Sequence, residues 1–134
     1  MFRIVLLVLA AALLTLAPTA SSASSSSVVL GEVFAGGGNS GAPYANDYVE
    51  LVNRGASPVD VTGWSVQYAA SASTSWSATP LAGTIPVGGH YLVVLSGGTV
   101  GAALPAADAT GTTNLAATGG ALPPLWKQSK REAL

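Results

Sequence analysis

One run of residues restricts the fold more than any other: Asp47-Tyr48-Val49-Glu50-Leu51-Val52-Asn53-Arg54-Gly55, answered by Val59-Asp60-Val61-Thr62-Gly63-Trp64. Successive side chains of an extended chain point to opposite faces, so Val49 and Leu51 share one side while Tyr48 and Glu50 share the other. That alternation predicts a half-buried strand over residues 47–53. Asn53 and Gly55 tolerate left-handed backbone and supply the turn that ends it. Gly63 then marks a bend, and Trp64 opens a second alternating run, Trp64-Ser65-Val66-Gln67-Tyr68.

The remaining chain follows the same rhythm. Residues 28–34 read as a first strand, and a long glycine-rich loop follows from Ala35 to Pro43. Further strands are expected at residues 64–69, 75–79, 81–85 and 90–95, with a weaker one at 111–115. Small residues at 70–74 form a loop tip, and Pro86-Val87-Gly88-Gly89 is a turn. Short strands separated by turn residues every eight to twelve positions or so are the pattern of a β-sandwich. The expected core comprises Val29, Val33, Val49, Leu51, Val61, Trp64, Val66, Leu92 and Val94.

The order D-Y-V-E-L-x-N-R-G, then V-D-V-x-G-W, resembles the lamin tail domain. The resemblance extends upstream to Val29-Leu30-Gly31-Glu32-Val33-Phe34 and downstream through Gly83-Thr84-Ile85-Pro86-Val87-Gly88-Gly89-His90-Tyr91-Leu92-Val93-Val94, covering residues 28–120. It implies an all-β, immunoglobulin-like antiparallel sandwich of the type found at the end of nuclear lamins and in secreted bacterial proteins. The family is a module without a shared catalytic centre, so the resemblance implies an interaction or targeting role and no enzyme activity. In bacterial members the module often accompanies nuclease or phosphatase domains. The alternative implied is therefore the N-terminal fragment of a secreted metal-dependent nuclease or phosphatase whose catalytic domain is missing from this chain.

The ends of the chain carry separate signals. Arg3 precedes an apolar run from Ile4 to Leu14, and small residues Ser21 and Ala23 fit cleavage positions of a secretory signal peptide. Cleavage is expected after Ala23, leaving a serine-rich flexible leader at 24–27, a domain at 28–120 and a divergent, disordered tail at 121–134. The apolar run is shorter than the roughly 20 residues needed to span a bilayer, which argues against an uncleaved anchor. Export permits disulfides, yet the chain has no cysteine, so the fold must rest on its core. Adjacent Pro123 and Pro124 lack the N–H groups a central strand donates. The family's closing strand is therefore expected to be lost, as in a chain truncated or altered at its C-terminus. An edge left open that way invites self-association.

Charge and motifs exclude several functions. Up to Trp126 the mature part carries Glu32, Asp47, Glu50, Asp60 and Asp108 against Arg54, a balance that disfavours docking on phosphates or anionic lipid. Gly36-Gly37-Gly38-Asn39-Ser40-Gly41 fits G-x-G-x-x-G, but a dinucleotide site needs a helix N-terminus after it, and here a strand follows. Asp108-Ala109-Thr110-Gly111-Thr112 lacks the lysine of the phosphorylated-aspartate motif of cation-pumping ATPases. Asn46 and Asp47 are the best candidates for calcium, against a plainer reading in which Asp47 caps a turn and Glu50 faces solvent. His90 is the chain's one histidine and reads as an exposed strand-end residue. No catalytic, cofactor-binding or metal-ligating residue is assigned. Tyr44, Tyr48, Tyr68 and Trp76 are the candidate partner-contact residues, for an unidentified protein or cell-surface polymer, since aromatic faces suit both.

Overall fold

The computed structural model describes residues 27–122 and 126–127. The expected signal peptide, the leader before Ser27 and most of the expected tail lie outside the described residues. The strands are β1 (Val28–Phe34), β2 (Asn46–Asn53), β3 (Val59–Asp60), β4 (Trp64–Ala70), β5 (Ser77–Pro80), β6 (Thr84–Ile85), β7 (His90–Gly97), β8 (Ala109–Thr110), β9 (Gly120–Ala121) and β10 (Trp126–Lys127). No helix occurs among the described residues. One sheet runs β1-β2-β7-β8, a second runs β10-β4-β5 with β9 also on β4, and β3 pairs with β6. The molecule is the all-β, immunoglobulin-like sandwich expected from the sequence. One pairing, β7 with β8, is parallel; the others are antiparallel.

The organising run forms β2, with Val49 and Leu51 wholly buried as the alternation requires. They meet Val93 and Tyr91 of β7 across the ladder, and Trp64, Val66 and Tyr68 of β4 in the same core. Ile85 of β6, with Val61, Leu81 and Leu115 from the connecting segments, closes that core. Fully burying one such aliphatic side chain is worth about 1.5–3 kcal/mol before ordering entropy is counted.

Four expected core positions are corrected. On β7 the buried residues are Tyr91, Val93 and Leu95, while Leu92 and Val94 lie half-buried on the opposite face. Tyr91 to Leu95 is apolar without interruption, so its period alone cannot say which face turns inward; pairing of Val49 with Val93 decides it. On β1, Val28 is buried and Leu30 packs on the core, whereas Val29 is half-buried and Val33 exposed. A register irregularity between Leu30 and Glu32 breaks the alternation at Gly31.

Two local expectations also shift. The short strand expected at 111–115 sits earlier, at Ala109–Thr110, and Leu115 is instead a buried anchor. Paired backbone also continues beyond residue 120: Ala121 pairs with Ala69, and Trp126 and Lys127 pair with Ser65 and Trp64. The closing side of β4 is thus met by two short pieces, with Pro123 and Pro124 falling in the sequence between them, where they have no N–H to donate.

Candidate functional site

Buried polar groups show first what is not available for chemistry. Asp47 is almost wholly buried, at a register irregularity between Asn46 and Tyr48. The Gly37 N–H donates to its Oδ1 at 2.7 Å and the Leu115 N–H donates to its Oδ2 at 2.7 Å. A single carboxylate therefore ties the glycine loop and the segment after β8 to β2. Asn46 donates from its side chain to the Leu95 carbonyl at 3.0 Å. Both calcium candidates are committed to internal hydrogen bonds, and among the described residues no group of three or more His, Asp or Glu could hold a metal ion.

The glycine loop is likewise built for packing. Gly38 has a positive φ of 75°, and a Cβ there would strike the backbone of Gly98. A Cβ on Gly37 would strike the backbone at Asn46 and Asp47. The loop is also tied to itself: the Gly38 N–H donates to the Tyr44 carbonyl and the Ala42 N–H to the Asn39 carbonyl, both at 2.9 Å. Asn53, which the sequence marked only as a turn residue, is buried too. Its side chain donates to the Ser57 and Ile85 carbonyls at 2.9 and 3.0 Å and accepts from the Gly55 N–H at 2.9 Å.

The chemistry left on the surface concentrates on the outer face of β1, β2 and β7. Pairing places Phe34 beside Tyr48 and Tyr48 beside Val94; one row along, Glu32 sits beside Glu50 and Glu50 beside Leu92. The Phe34 and Tyr48 rings stack at 5.5 Å, and Tyr44 meets them edge-on at 5.4 and 5.8 Å. The Tyr48 hydroxyl donates to Glu32 Oε1 at 2.7 Å. That hydrogen bond to a carboxylate, reinforced by burial and by the nearby negative charges, pushes the tyrosine from 10.0 up to about 12. His90 Nδ1 lies 2.9 Å from Glu50 Oε1, with the imidazole largely in solvent. An exposed pair of this kind adds little stability.

The four candidate contact residues divide in two. Tyr44 is 37% exposed and Trp76, just before β5, is 51% exposed. Tyr48 and Tyr68 are buried, which corrects their expected availability. Tyr48 is covered by Phe34 and Tyr44, while the Tyr68 hydroxyl accepts from the Ala116 N–H at 2.9 Å and donates to the Gly119 carbonyl. Strand alternation placed Tyr48 on the outer face correctly; its burial comes from ring neighbours on β1 and the glycine loop, which alternation does not reveal. Phe34, Glu32 and Glu50 were missed as members of one surface because their adjacency depends on the β1–β2 register.

Comparison with known proteins agrees with this architecture. A family model described as Lamin Tail Domain matches residues 21–133, extending past position 120, where the sequence resemblance ends. Searches of curated proteins and of solved structures give no significant match. With the sandwich, its core and a match over most of its length in agreement, the chain belongs to the lamin tail domain family.

Proposed function

We propose that this chain is a non-catalytic interaction or targeting module that works outside the cell. The observation that carries the reading is the division of its side chains. Asp47 and Asn53, the polar groups buried deepest, are spent on backbone hydrogen bonds, whereas Tyr44, Trp76 and the apolar outer face of the first sheet are presented outward. Export is supported by Arg3, the apolar run after it and the small residues at Ser21 and Ala23.

Photo-crosslinking groups placed at Tyr44 and at Trp76 of the full chain test the role. Labelling that saturates on whole cells or cell-surface extracts, and is competed by unlabelled protein, is the expected result. A reading frame that continues downstream into a metal-dependent hydrolase domain would instead support the alternative, in which this chain is the N-terminal fragment of a secreted nuclease or phosphatase whose catalytic domain lies outside it. N-terminal sequencing of protein from the medium should begin at Ser24.

A further inference from the structure

The outer face of β1, β2 and β7 departs from the polar-out alternation of a sheet with one face in water. Phe34, Tyr44, Val52, Leu92 and Val94 all contribute apolar surface to that side. In the middle of it Glu32 and Glu50 stand directly opposite each other across the β1–β2 ladder. Side chains so paired lie on one face within a few ångströms, and like charges there repel. The Tyr48 hydroxyl and the His90 imidazole give each carboxylate one hydrogen-bond partner. Among the described residues, however, neither carboxylate meets a lysine or arginine. Low-polarity neighbours lower the local dielectric and strengthen the attraction of such a pair for a cation.

We propose that this face binds an extended segment of a partner protein in which a lysine or arginine is flanked by apolar side chains. The inference rests on the interaction-module reading and names its partner's chemistry. The cation lies between Glu32 and Glu50, relieving their repulsion, and a guanidinium can bridge both carboxylates with its fork of donors. The methylenes of that side chain and its apolar neighbours rest on the Phe34 and Tyr44 rings on one side and on Leu92 and Val52 on the other. Up to Trp126, Glu32, Asp47, Glu50, Asp60 and Asp108 stand against Arg54, a local excess of negative charge that steers such a partner inward.

The test titrates the full chain with a short labelled peptide alternating valine and arginine. Its glutamate counterpart and a neutral oligosaccharide are run in parallel. The arginine peptide should bind saturably. Glu32→Gln combined with Glu50→Gln, which keeps both hydrogen-bond acceptors, should weaken it about tenfold, and Val94→Thr by a smaller factor. Asp60→Asn, a charge removed from another sheet, should leave affinity unchanged, and circular dichroism confirms that each variant is folded. Absence of binding by the arginine peptide overturns the proposal, as does equal weakening by Asp60→Asn, which would mean diffuse attraction. If the proposal falls while saturable crosslinking at Tyr44 or Trp76 persists, the module reading stands with a different partner. If crosslinking fails as well, both readings fall.

Discussion

Asp47 gives its charge to two backbone amides from distant segments, so its substitution separates electrostatics from shape. Asp47→Asn keeps the volume but turns an amide N–H₂ towards one of the two donors, leaving a buried N–H unpaired. A loss of about 3 kcal/mol in urea unfolding is expected, since hydrogen bonds to charged groups are worth about 1.5–3 kcal/mol each. Tyr48 makes a prediction about pH. Its hydroxyl is held at about 12 against an ordinary 10.0, so the folded protein grips that proton more tightly than the unfolded chain does. The resulting stabilisation is complete below 10.0 and is lost as pH rises through about 12. Unfolding midpoints measured across that window should fall, and Tyr48→Phe should flatten the fall while costing about 1 kcal/mol at neutral pH. Neither role was legible in the sequence. Alternation puts Asp47 and Tyr48 on a strand, but their partners at Gly37, Leu115 and Glu32 are supplied by loop closure and register.

At the scale of elements, the inward faces of β2 and β4 follow from their mixed composition, whereas those of the uniformly apolar β7 and of β1 do not. Val49 and Leu51 alternate with Glu50, and that single charge orients β2. Tyr91 to Leu95 offers no such mark, so the inward face of β7 follows only from its pairing with β2. Gly31 hides a second break in pattern, because an irregularity in an edge strand shifts every later side chain to the other face. Three substitutions probe the packing of these segments by chemical denaturation. Val93→Ala should cost clearly more than Val94→Ala, because Val93 is fully buried and Val94 is not. Gly38→Ala should destabilise although it lies in a loop, since it combines a positive φ with a collision against Gly98. Comparable effects of the two valine substitutions would overturn the inward face assigned to β7.

At the scale of the whole molecule, one sandwich without disulfides is held together by its apolar core and by buried polar clamps that fasten the long connections to it. On this account the glycine loop and the segment around Leu115 belong to the same cooperative unit as β2. The family and the sandwich were legible because turn residues and alternation recur along the chain; the clamps were not, because they join residues as far apart as Asp47 and Leu115. Native-state amide hydrogen exchange on the full chain examines the claim most directly. The Gly37 and Leu115 amides should be protected to nearly the same free energy as Val49 and Leu51 in β2, and Asp47→Asn should abolish that protection selectively. Exchange of Gly37 and Leu115 at the rates of exposed loops, with β2 still protected, would contradict it.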